Sequence, residues 1–133
     1  MIDDYVAKHD NTIAFTSMGQ LNYLSALQFV DAVVGNSSSG LLEAPSFKIG
    51  TIDIGDRQKG RIKANSIIAC SPNKESIDSA LVKLYSREFQ DIANNVDNPY
   101  GHGGASKEIV RIIKDTSLDN IVKKSFYDFK SVS

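Results

Sequence analysis

One cysteine, Cys70, is all that these 133 residues contain, so a disulfide framework is excluded. It closes the run Ser66-Ile67-Ile68-Ala69-Cys70, where a small buried thiol is expected in preference to a reactive one. No stretch approaches the roughly 20 apolar residues of a membrane span, and the acidic opening Met1-Ile2-Asp3-Asp4 has the wrong charge for a signal peptide. No membrane partner is expected, and a reducing cytoplasm fits. Excess charge of either sign is missing too. Fifteen basic residues stand against 16 acidic ones for a net charge of -1, and the two signs are interspersed. The chain therefore has no electrostatic footprint for nucleic acid. Its two histidines, His9 and His102, have no ligand cluster around them, so no metal site and no cofactor are expected. Repeats, low-complexity segments and Pro/Gly linkers are also absent. With 41% hydrophobic residues, the chain is expected to form one ordinary core and a single domain over residues 1–133.

The most informative stretch runs from Val33 to Pro45. An apolar strand leads directly into Gly35-Asn36-Ser37-Ser38-Ser39-Gly40, which opens a helix. Free backbone N–H groups at a helix start attract an anion, and small flanking residues let a phosphate approach the backbone. The three serines add hydroxyl donors. Glu43 follows about one turn later, where a carboxylate can accept hydrogen bonds from sugar hydroxyls, as acidic residues do in dinucleotide folds. A nucleotide-sugar is the simplest ligand that satisfies both features. Taken alone, the same residues also describe a polar strand-to-helix turn with a capping serine and a solvated first-turn glutamate.

Strands and helices alternate along the chain. A weak helix is expected over residues 1–9 and a short β-branched and aromatic strand over 11–16, followed by the loop Ser17-Met18-Gly19. Leu21, Leu24 and Leu27 then fall at helical spacing. Further strands are expected over residues 31–34, 50–55 and 66–69, with the basic loop 56–61 after the third of the four. Ser71-Pro72 reads as a capped helix start, with Ile77, Leu81 and Leu84 as the apolar stripe behind it. Asn98-Pro99-Tyr100-Gly101 is expected to turn, and a helix over 105–114 to bury Ile109, Ile112 and Ile113. The tail 118–129 is amphipathic through Ile121, Val122, Phe126 and Phe129. Such alternation implies a doubly wound parallel α/β sheet with ligands at the carboxyl ends of its strands.

Three blocks in this order carry a resemblance: residues 35–45, then Ile54-Gly55-Asp56-Arg57-Gln58-Lys59-Gly60-Arg61, then Asn98-Pro99-Tyr100-Gly101-His102-Gly103. From about residue 12 onward the chain resembles the carboxyl-terminal part of UDP-N-acetylglucosamine 2-epimerase. The second block most resembles the hydrolysing branch, which releases N-acetylmannosamine and UDP towards sialic acids and related surface sugars. The resemblance implies a Rossmann-like fold, the second domain of a GT-B-type two-domain enzyme, lacking its first strand. It implies UDP or UDP-N-acetylglucosamine as ligand, with Ser37 and Ser38 at the phosphates, Glu43 at the ribose and Arg57 near the phosphates or sugar. By the same resemblance, the backbone of the loop containing Ser17 and Met18 would read the uracil edge. In the family the acid and base groups come largely from the first domain and the hinge. No catalytic residue is therefore assigned here, and the isolated chain is expected to be inactive without a missing amino-terminal domain. The full-length enzyme would be a homo-oligomer.

Arg57, Gln58, Lys59 and Arg61 also read as an ordinary solvated loop. His102 invites a general-base reading because imidazole titrates near neutral pH. The family commonly carries an acidic residue at this point, so the block is better read as a turn into a helix. Two other classes of function fit the serine turn: the donor-nucleotide domain of a GT-B glycosyltransferase, and a non-catalytic nucleotide-binding module. The Arg57 to Arg61 and Asn-Pro-Tyr-Gly blocks favour the epimerase.

Overall fold

The computed structural model describes residues 1–119 and 121–122, and the chain divides after residue 101 into two compact units. The first is built on a three-stranded parallel sheet in the order β1-β2-β3. Its strands are β1 (Ala32–Gly35), β2 (Gly50–Ile54) and β3 (Ile67–Cys70). Val34 pairs with Ile52, and Ile52 with Ile68. Valine and isoleucine dominate these segments because β-branched side chains suit a pleated, covered surface.

Strand β2 lies in the middle and alternates strictly between two faces. Ile52 packs with Ile68 against Ala80 and Leu84 of α4 (Lys74–Leu84) and Phe89 and Ala93 of α5 (Arg87–Asn94). Thr51 points the other way, and its hydroxyl donates to the Gly40 carbonyl at 2.9 Å. Gly40 lies in the short helix α3 (Ser39–Leu42). A Cβ at residue 40 would stand 2.6 Å from Thr51 Cγ2, so α3 seats on the sheet only because that position has no side chain. Helices thus cover both faces of an α/β Rossmann-like sheet.

Several local expectations change. Residues 11–16 form no strand; Ile13 is 74% and Phe15 57% exposed. Strand propensity is largely packing against neighbours, and among the described residues β1 pairs only with β2. The first helix shortens to α1 (Ile2–Val6). In α2 (Gly19–Ala26) and the residue after it, Leu27 is buried, Leu24 half-buried and Leu21 exposed. Helix α4 is capped two residues later than Ser71, by Asn73, whose side chain accepts from the Ser76 N–H at 2.9 Å. Helix α5, which the apolar pattern alone did not reveal, starts where Ser86 Oγ accepts from the Phe89 N–H. Cys70 is half-buried against the core cluster.

In the second unit, Gly104 leads into α6 (Ala105–Asp115). Its Ile109, Ile112 and Ile113 are each more than half exposed, contrary to the expected burial, because the described part of this unit has no second layer. Of the expected amphipathic tail, residue 120 and those from 123 onward lie outside the described residues. Among the described residues no helix is long and apolar enough to cross a membrane.

Candidate functional site

A cavity of about 610 Å³ opens beside the carboxyl end of β1. Its walls come from three segments: Ser17, Met18, Gly19, Gln20 and Tyr23; Val33 and Val34 of β1; and Ser37, Ser39 and Glu43. The size lies within the range of small-molecule sites. Gly19 has φ +66, a conformation that glycine adopts without penalty, and its N–H is held by Ser17 Oγ at 3.2 Å. This turns the 17–19 loop into the first turn of α2, and Tyr23, one turn further on, faces the same side.

On the opposite wall, the Ser39 hydroxyl lies 2.5 Å from both Tyr23 Oη and Glu43 Oε2. A serine carries one proton and an ionised carboxylate only accepts. The satisfied arrangement is therefore a relay in which the Tyr23 hydroxyl donates to Ser39 and Ser39 donates to Glu43. Ser37 lies at the mouth of the turn, where its hydroxyl accepts weakly from the Ser39 N–H at 3.4 Å. Helix α3 has only four residues, so its dipole adds less than the sequence reading supposed; local N–H and hydroxyl groups dominate.

The three sequence blocks are tied to one another by side-chain amides. Gln58, only 3% exposed, donates from Nε2 to the Asn36 carbonyl at 2.8 Å. Asn98, 6% exposed, donates to the Leu42 carbonyl at 2.9 Å and lies 2.7 Å from Ser46 Oγ. Its Oδ1 accepts from the Tyr100 N–H, and the Tyr100 hydroxyl reaches back to the Ile62 carbonyl at 2.8 Å. The second and third blocks thus hold the serine turn and the end of α3 from two sides.

Of the six residues expected to bind, Ser17, Met18, Ser37 and Glu43 share the cavity wall. Ser38 stands outside it as the N-cap of α3, where its carbonyl accepts from Leu41 and Leu42. Arg57 is exposed on the loop after β2, with Nη1 3.5 Å from Asn36 Oδ1, at the outer limit of a hydrogen bond. It faces the serine turn without lining the cavity. Lys59 and Arg61 are also exposed. Sequence reasoning passed over Tyr23 and gave the buried Gln58 no separate role. Tyr23's one-turn spacing from Gly19 was the available signal for the cavity.

Below the turn, Asp53 is 1% exposed and pairs with Lys63 Nζ at 2.7 Å. Asp53 Oδ1 and Gln58 Oε1 are buried without a hydrogen bond. His9 stacks on Tyr5 with ring centroids 3.9 Å apart and bonds the Tyr5 carbonyl, a local helix-end role. His102 lies in the bend that precedes α6. No group of three or more His, Cys, Asp or Glu among the described residues is placed to hold a metal ion.

The parallel sheet, the covering helices and a cavity at a strand's carboxyl end define a Rossmann-like α/β domain of the kind that binds ligands at that edge. The family model for UDP-N-acetylglucosamine 2-epimerase matches residues 1–114, and the chain belongs to that family. It is 38% identical over 130 residues to the GDP/UDP-N,N'-diacetylbacillosamine 2-epimerase (hydrolyzing) of Campylobacter jejuni, covering 96% of this chain and 33% of that protein. It is 40% identical over 108 residues to the Polysialic acid biosynthesis protein P7 of Escherichia coli, covering 80% of this chain and 28% of that protein. With the UDP-N-acetylglucosamine 2-epimerase of Neisseria meningitidis it shares 38% identity over 77 residues, 58% of this chain and 20% of that protein. The chain therefore spans about a third, or less, of the length of the curated relatives it matches.

Proposed function

We propose that this chain is the UDP-holding part of a hydrolysing UDP-N-acetylglucosamine 2-epimerase. One observation carries the reading: the 17–19 loop, the serine turn and Glu43, separate in sequence, wall a single cavity. The backbone of residues 17–19 takes the base, Glu43 the ribose hydroxyls, and Ser37 with the backbone N–H groups of its turn and nearby Arg57 the phosphates. In the full reaction a proton leaves sugar C2, the C1–O bond to UDP breaks to give a glycal, and water adds to yield the epimerised free sugar. This chain's share is to stabilise the departing UDP through its phosphates.

C2 deprotonation falls to the part of the protein that the relatives have and this chain does not. The isolated 133-residue chain therefore binds UDP and releases no N-acetylmannosamine. The relatives' names support a nucleoside-diphosphate acetamido sugar as the general substrate; N-acetylglucosamine is the proposed sugar. Calorimetric titration with UDP tests the reading. Saturable binding that weakens in Glu43→Ala and Ser37→Ala is the expected result. A folded chain that ignores UDP, or that turns over UDP-N-acetylglucosamine unaided, contradicts it.

A further inference from the structure

Glu43 stands at the end of a four-residue helix, where a flexible glutamate has many rotamers to lose before it can read a sugar hydroxyl. What restrains it is Ser39, one turn earlier, whose hydroxyl is 2.5 Å from Glu43 Oε2 and equally close to Tyr23 Oη. All three residues line the same cavity. We infer that Ser39 is a positioning residue: it orients the Glu43 carboxylate for ribose recognition, with Tyr23 holding Ser39 from α2.

The inference rests on the proposed nucleotide reading and adds to it the source of ribose specificity. An O–H to carboxylate bond of 2.5–2.7 Å is of the charge-assisted kind, about twice as strong as a neutral one. It occupies one of about four lone-pair sites on the carboxylate, so a ribose hydroxyl can bond to Glu43 at the same time. Tyr23 approaches from sequence position i−16 relative to Ser39, so the relay exists only when α2 and the serine turn are assembled.

A direct contact between Ser39 and phosphate predicts a different outcome, and this makes the test sharp. The 133-residue chain is titrated with UDP and with 2′,3′-dideoxyuridine diphosphate, which keeps base and phosphates but lacks both ribose hydroxyls. Ser39→Ala is expected to reduce the preference for UDP by about fivefold while leaving dideoxynucleotide affinity unchanged, as loss of one charge-assisted orienting bond requires. Ser39→Thr, which keeps the hydroxyl, retains the preference. Tyr23→Phe reduces it by about twofold, and the double variant loses no more than Ser39→Ala alone, because the relay passes through Ser39. Equal weakening of both nucleotides, or an unchanged preference in Ser39→Ala, overturns the inference and leaves the nucleotide reading intact. A wild-type chain that binds neither nucleotide overturns both.

Discussion

On one side of β2, Ile52 is sealed among Ile68, Leu84, Phe89 and Ala93, all apolar. On the other, Thr51 and Asp53 are equally buried but polar, with the buried Gln58 and Asn98 in the loops that brace the serine turn. One strand supplies both environments because successive side chains point to opposite faces. The apolar side needs only volume. The polar side needs partners for its donors and acceptors, and it leaves Asp53 Oδ1 and Gln58 Oε1 without one. Natural domains keep few such atoms, and each calls for an explanation. Asp53 lies at the carboxyl end of β2 and Gln58 bonds the serine turn, whereas a third such atom, Ser66 Oγ, lies just before β3 at the other end of the sheet.

The contrast can be broken from either side. Leu84→Ala, which empties a site only 1% exposed, should cost about 3–4 kcal/mol by urea denaturation, with UDP affinity unchanged while the chain remains folded. Lys63→Met leaves the buried Asp53 carboxylate uncompensated and should cost about 2–3 kcal/mol; adding Asp53→Asn should recover more than half of that loss. A double variant no more stable than Lys63→Met would deny the pair its role. Asn98→Ala removes the amide from Leu42 and Ser46 and should cost about 1–2 kcal/mol. Unlike Leu84→Ala, it should also weaken UDP binding, because it frees the end of α3. Equal effects of Leu84→Ala and Asn98→Ala on UDP affinity, measured at matched fraction folded, would erase the distinction between the two faces.

The sequence makes the apolar face more legible than the polar one. The β-branched cores of β1, β2 and β3 announce themselves by composition, and Leu84 by the expected stripe with Ile77 and Leu81, although Leu81 itself is exposed and Ala80 packs in the core instead. Residues 11–16 have the same composition but no strand neighbour, so propensity misleads there. Asn73 displaces Ser71 as the cap of α4 because its side chain reaches the Ser76 N–H, three residues on. Helix α5 hides behind a polar face, and only Ser86 three residues before Phe89 marks its start. At the site, the serine turn and Glu43 stand out by local pattern. Tyr23 against Ser39 and Gln58 against Asn36 do not, since each is a meeting of residues 16 or 22 positions apart that only the folded chain brings together.

The side-chain latches, two amides and one phenol, limit how this region can vary. Gln58, Asn98 and Tyr100 each donate to a main-chain carbonyl, those of Asn36, Leu42 and Ile62. Every residue type offers that acceptor. Tolerance to substitution is therefore lopsided: for these bonds, the receiving positions can exchange side chains freely, while the donors admit almost no replacement. As far as these three bonds decide it, the loops around the cavity can drift in sequence at the receiving positions and keep their shape.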